Sequence, residues 1–234
     1  MSNYLSRVCI YPFIIVSAIL SFTQVFAQTE YSNGLLNTKR IFSQGLTESL
    51  AQPFVGVATS AGKTQGLFPI VSTGISTEPL ATAAAVFLES LSSIHLAKVQ
   101  FAIDDPEWRN WSNVDVGIFP RYGLSLEEMD AGQKRAAWDL ITKSLSAKGV
   151  ENVRGIMKTE QRLLEINNEP IRYGEEKYYL TIMGIPDAEE PWGWQLDGHH
   201  LVINFFVLGD QVTMTPAFWG GEPVLAEQGK YAGN

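Results

Sequence analysis

The segment from Pro191 to Pro223, PWGWQLDGHHLVINFFVLGDQVTMTPAFWGGEP, limits the folds open to this chain more than any other stretch. From Trp194 onward its residues follow the period of a β-strand, in which successive side chains point to opposite faces. Read as one continuous strand, that period puts Gln195, Asp197, His199, Leu201, Ile203 and Phe205 on one face, and Trp194, Leu196, Gly198, His200, Val202, Asn204 and Phe206 on the other. Adjacent histidines then diverge, so His199 and His200 meet at one ion only if Gly198 kinks or bulges the chain. The simpler expectation groups His199 with Gln195 and Asp197, where a carboxylate fixes one imidazole tautomer and frees the other nitrogen. Gly209-Asp210 reads as a two-residue hairpin turn that returns Val212 to Thr215 antiparallel. Pro216 and the Gly220-Gly221 pair are expected to end the pairing and carry Trp219 and Glu222 along the sheet's rim.

Upstream, Leu35, Phe42, Leu46 and Leu50 recur at near-helical spacing, and Pro53 ends that helix. Phe54 to Ala58 and Leu67 to Val71 read as short strands around a SAGKTQG turn. Gly62-Lys63-Thr64 invites a phosphate-loop reading, but Gly56 lies one residue too far upstream and LFPIV is no helix, so a solvated hairpin turn is the expectation. Pro79 opens a helix capped by Ser76 or Thr77, through ATAAAVFLESL. His95 follows it, isolated from the other histidines. Ser125-Leu-Glu-Glu128 is a capping box that starts a helix, whose stripe of Leu126, Met129, Leu140, Ile141 and Leu145 ends at Gly149. The next helix, from about Val150, buries Val153, Ile156, Met157, Leu163 and Leu164. Glu160 lies close to that stripe, so its carboxylate needs a partner: a pocket histidine, a metal, Arg154, Arg162 or a backbone amide. Asn167-Asn168 breaks the helix, and Lys177 to Met183 is a strand. The expected class is α+β, a mostly antiparallel sheet packed against three or four helices.

The central signature resembles a family. PWGWQLDGHHLVIN followed by TPAFWGGEP is similar to the core of the bacterial and fungal family catalogued as domain of unknown function 3500. The resemblance extends through DDPEWRNW, FPRYGLSLEEM, KSLSAKG and the helix carrying Glu160. It implies a shared layout and no particular activity. It also implies further helical sequence beyond the GGEP segment than the residues up to Asn234 provide.

The N-terminus reads as an export signal. Arg7 precedes an apolar run from Val8 to Phe22 that is short for a membrane span, and Val25-Phe26-Ala27 has the ending of a cleavage site. The expected division is a signal over 1–27 and one α+β domain over 28–234, periplasmic or extracellular, with no membrane span after cleavage. Cys9, the single cysteine of the chain, lies inside the signal, so disulfides and thiolate ligands are excluded from the rest. A net charge of −8 argues against nucleic acid and anionic membranes as partners. The expected partner is a small molecule.

Three functional readings follow from the residues. In the first, His199, His200, Asp197 and Glu160 form a catalytic site. His199, His200 and Glu160 would then serve either proton transfer or a divalent transition metal such as zinc, iron or manganese. Neither an HExxH spacing nor a GxSxG elbow is present. In the second, a non-catalytic binding module uses Trp192, Trp194, Trp219, Trp108 and Trp111 as a platform, with Gln195, Asp197, His199 and Asn204 supplying orienting hydrogen bonds and Arg121 and Glu222 as further ligand-binding candidates. DDPEWRNW could contribute an acid-rimmed pocket for sugars or other rings, or simply a capped turn with core tryptophans. Arg121 could clamp a substrate carboxylate or phosphate, or hold two loops together. In the third, the histidines bond backbone carbonyls and the tryptophans fill the core. The leading expectation is an exported hydrolase-like or metal-assisted enzyme acting on a small substrate.

Overall fold

A computed structural model describes residues 33–64, 66 and 71–234. The expected export signal over 1–27 lies outside them, as do residues 67–70 of the strand expected at Leu67 to Val71. Along the chain run helix α1 (33–51), a small hairpin of β1 (Ala58–Thr59) and β2 (Gly62–Lys63), α2 (Glu78–Glu89), α3 (Ser93–Val99) and β3 (Gln100–Phe101). There follow β4 (Leu124–Ser125), α4 (Ala131–Ser144), α5 (Ala147–Asn167), β5 (Tyr178–Gly184), β6 (Trp192–Gly198), β7 (Leu201–Leu208), β8 (Gln211–Thr213) and β9 (Ala217–Trp219). The fold is α+β. Strand β3 joins the main sheet parallel to β5, and every other pairing in that sheet is antiparallel.

Strand β6 is buried along its whole length, so the sheet has two covered faces of different chemistry. On the first, Tyr178, Leu180 and Ile182 of β5 stand beside Trp194 and Leu196 of β6 and Ile203, Phe205 and Val207 of β7. Helix α2 packs Ala84 and Phe87 onto this face, α4 packs Leu140 and Ile141, and α5 packs Val153 and Met157. Small alanines on α2 let it approach α4 closely, and burying large side chains supplies the driving force, roughly 1.5–3 kcal/mol each. Trp194 stacks on its cross-strand partner Phe205 at 5.3 Å between ring centroids. Its indole N–H donates to Ser144 Oγ, and that of Trp192 donates to the Asp187 carbonyl. Both rings are fully buried. This corrects their expected place on a ligand platform: they are core.

The second face carries Thr181, Gln195 and Asn204 in one cross-strand row, with Asp197 beside it. Residues 102–123 cover it in place of helices. Asp105 caps a short 3-10 turn, Pro106–Arg109, that lowers Trp108 onto the strand at Gly193. A Cβ at Gly193 would lie 2.3 Å from the Phe205 carbonyl oxygen and 2.6 Å from the Trp108 ring. Glycine is needed here for close approach.

Several boundaries differ from the sequence reading. The Ser125–Glu128 capping box closes only a short turn, Leu126–Glu128. Asp130 and Gln133 then form a second box that starts α4. Ser146 caps α5 by accepting from Gly149 N–H, so Gly149 sits in the first turn of α5 and does not end α4. Asn168, at φ 54°, does end α5. Thr77 occupies the N-cap position of α2 without a side-chain cap bond, while Ser76 Oγ accepts from Glu78 N–H. Pro216 does not end strand pairing. Strand β9 after it pairs with the first half of β7, while β8 pairs with the last residues of β7. Asn204 bridges the gap, because both its backbone and side-chain N–H groups donate to the Pro216 carbonyl. The turn at Gly209-Asp210 stands as expected. Helix α1 has no buried residue and is tied down by Lys39 donating to the Val116 carbonyl and by Arg109 donating to the carbonyls of Leu50 and Gln52. Among the described residues, no helix is long and apolar enough to cross a membrane.

Replacing Gly193 by alanine should cost about 1–3 kcal/mol through forced displacement of strand and ring. Urea unfolding should show a lower midpoint at unchanged slope.

Candidate functional site

Strands β6 and β7 are joined by two residues only, His199 and His200, with Gly198 paired to Leu201 across the turn. His200 adopts φ 59°, a left-handed conformation that histidine enters more readily than most side chains. Three bonds hold the reversal. The Tyr178 hydroxyl donates to the His199 carbonyl, His200 N–H donates to the Asn113 carbonyl, and Gly220 N–H donates to the His200 carbonyl. The strand therefore does not run on through the histidines, and the expectation that they diverge is overturned. A tight turn removes the face alternation, so the two rings stack at 3.8 Å between centroids, 30° apart. Beyond the turn every residue of β7 changes face relative to the continuous-strand reading. Gln195 and Asp197 share their face with Val202, Asn204 and Phe206.

Glu160 reaches this turn from α5, one helical turn past Met157 in the core. Its side chain is 3% exposed, and both carboxylate oxygens lie near His199 Nδ1, at 3.1 and 2.9 Å. Burial pushes the Glu160 carboxyl above the ordinary range, and the bond to His199 opposes that rise. Burial and the neighbouring His199 push His200 below the usual imidazole value. His200 Nδ1 is buried with no hydrogen-bond partner among the described residues, while its Nε2 lies 3.7 Å from Glu222 Oε2. Glu222 is mostly exposed and faces the site from the solvent side. Tyr173 packs its ring 5.8 Å from that of His199.

One ligand atom from each of Glu160, His199 and His200 lies within 4.8 Å of the other two. Tetrahedral ligands around zinc sit roughly 3.3 Å apart, so small side-chain rotations would close the trio on an ion. Glu160 could then ligate directly or orient His199 from behind. A groove of about 490 Å³ runs beside the centre along α5, lined by Arg154, Lys158, Thr159, Trp219, Gly220 and Gly221. Trp219 and Glu222 thus lie next to the centre.

The family model described as "Protein of unknown function (DUF3500)" matches residues 73–234. The chain belongs to the DUF3500 family. No curated protein and no solved structure matches it. The DUF3500 region includes the whole main sheet, helices α2 to α5 and all the residues of the centre, and leaves out α1 and the small hairpin.

Other candidates in the DUF3500 region fall elsewhere. Asp197 does not join His199. It lies on the second face, where Arg121 Nε sits 3.2 Å from its Oδ2 and Ser112 N–H donates to its Oδ1. The contact is an ion pair, and charge attraction carries it. Burial pushes the Asp197 carboxyl up to about 6, against the pull of Arg121. The Arg121 side chain is itself buried and donates to the Ser112 and Val114 carbonyls, so it holds the cover loop and is closed to a substrate anion. Gln195 donates to Asn204 Oδ1, and with Asn204 committed to Pro216 this pair knits the sheet. His95 lies on α3, away from the centre.

Two groups escaped the sequence reading. Tyr173 stands against His199 from the loop after α5, and no local pattern announced it. Glu107 is buried, and its carboxylate accepts from Asn110 Nδ2 at 2.7 Å. Burial pushes it up to about 7, with the Asn110 bond opposing. The run of acids in DDPEWRNW was visible, but which of them turns inward is set by the 3-10 turn.

His199→Ala should cost about 1–3 kcal/mol at pH 8, because it strands buried Glu160. Adding Glu160→Gln should restore part of that loss, measured by urea unfolding. Between pH 4.5 and 7 the folded protein holds a proton on Glu107 that the unfolded chain releases, so this group makes stability fall as pH rises. Glu107→Gln should flatten that fall and gain about 1 kcal/mol at pH 8.

Proposed function

We propose that this protein is a metal-assisted, hydrolase-like enzyme whose centre binds one divalent transition metal through Glu160, His199 and His200. The convergence of these three ligand groups from α5 and the central turn carries the reading. Two imidazoles and one carboxylate suit zinc, iron or manganese, and three protein ligands leave a coordination position for water or substrate.

The remaining residues fit hydrolysis. A bound divalent ion would lower the pKa of a coordinated water towards about 7 and polarise a carbonyl or phosphoryl oxygen. Glu222, exposed and 3.7 Å from His200, is placed to accept the proton that such a water gives up. The contact between Glu160 and His199 Nδ1 already brings these two ligand groups together, and the stack on His200 restricts both rings. The groove along α5 offers a small substrate an approach over Gly220-Gly221. The leader-like N-terminus supports export to the periplasm or beyond, which would put that substrate outside the cytoplasm.

Elemental analysis of the purified protein, after incubation with zinc, iron and manganese in turn and desalting, tests the reading. Near-equimolar metal is expected in the wild type, with loss of at least tenfold in affinity for His199→Ala, His200→Ala and Glu160→Ala. Cobalt substitution should give the visible absorption of a low-coordinate site. Absence of stoichiometric metal under all three conditions, or retention in every variant, would sink the proposal. Glu222→Gln should keep the metal and lose about 10²-fold or more in turnover of any substrate found.

A further inference from the structure

The loop cover leaves a large opening on the second face of the sheet, beside the β8 edge. This cleft has a volume of about 990 Å³, the size of a drug-like ligand site. Trp108, Trp111 and Phe206 wall it, and Phe54 stands at its mouth. Trp108 is held in place by its indole N–H donating to the Ile103 carbonyl and by an edge-on contact with Phe206 at 6.2 Å. Four polar groups on the lining make no hydrogen bond among the described residues: the Asp104 carboxylate, the Trp111 indole N–H, and the hydroxyls of Thr213 and Thr215.

Charge in the cleft is unbalanced towards acid. Asp104 and Asp105 both line it, and Arg109, its single cation, is bound to the backbone carbonyls of Leu50 and Gln52. Asp105 caps the 3-10 turn through Glu107 N–H, which leaves Asp104 as the uncommitted anion. Indole faces attract both rings and cations, and a carboxylate at the rim selects for positive charge.

We propose that this cleft is a binding site for a small organic cation bearing an aromatic ring, separate from the centre at the hairpin turn. The ring lies against Trp111 and Trp108 and the cationic group turns towards Asp104. The site is independent of Glu160, which approaches the turn from the helical side, whereas the cleft opens on the loop-covered face.

Isothermal titration calorimetry of the full chain with phenethylamine, phenylacetate and methyl glucoside tests it. Phenethylamine should bind, with phenylacetate at least about tenfold weaker and methyl glucoside weaker than either. Asp104→Asn should weaken phenethylamine about fivefold and leave thermal unfolding unchanged, since Asp104 is exposed. Trp111→Ala should abolish binding, and if that variant does not fold, Asp104→Asn carries the decision. His199→Ala should bind phenethylamine as the wild type does, so failure of the metal reading leaves this one standing. The proposal is overturned if phenethylamine does not bind, if phenylacetate binds as tightly, if methyl glucoside binds best, or if Asp104→Asn changes nothing.

Discussion

Burial of β6 on both faces is the constraint from which the rest of the structure follows. A strand in that position must satisfy two environments with alternate residues. Trp192, Trp194 and Leu196 meet helices on one side, and Gln195 and Asp197 meet a loop on the other. The apolar side supplies the driving force for folding. The polar side imposes conditions, because each buried amide or carboxylate there must find a partner or lose more than a hydrogen bond normally contributes. Asn204, Arg121 and the carbonyls of the cover loop meet those conditions. The loop over 102–123 is therefore as much a part of the core as any helix.

The same strand sets up the candidate centre by ending abruptly. Because β6 and β7 are joined by two residues, the end of the most deeply buried hairpin presents two imidazoles at one point. Glu160 can reach them because its helix packs on the same sheet. The rigidity of the site comes from backbone bonds at the turn and from α5, with Asp115 and Arg172 bonded to each other nearby. Such a foundation is what a site with precise geometry needs.

How much of this was legible in the sequence depends on range. The period of Trp194 to Leu196, the turn at Gly209-Asp210 and the helical stripe through Val153, Met157 and Leu163 are local patterns, and they mark the class of fold correctly. Glu160 stood out because a carboxylate beside an apolar stripe needs a partner, although its partner could not be chosen from sequence. The turn at His199-His200 was missed. Histidine is a weak turn former beside glycine or asparagine, and the apolar alternation on either side continues through it without a break. Trp192 and Trp194 were placed on a platform because tryptophan in a polar-rich segment resembles a binding wall. Only the packing of α2, α4 and α5 shows that wall to be interior. Asp197 was assigned to His199 by strand parity, and the turn breaks that parity.

The left-handed backbone at His200 has a consequence for how this position can change. A glycine or asparagine would adopt φ 59° at less cost, so the turn alone does not favour histidine. Selection for stability would drift towards those smaller residues, and the imidazole would be lost with them. A histidine held there marks a position where conformational ease and the chemistry of the side chain pull in opposite directions. Engineering the protein for heat resistance by softening this turn would, on that logic, remove the ring that stacks on His199.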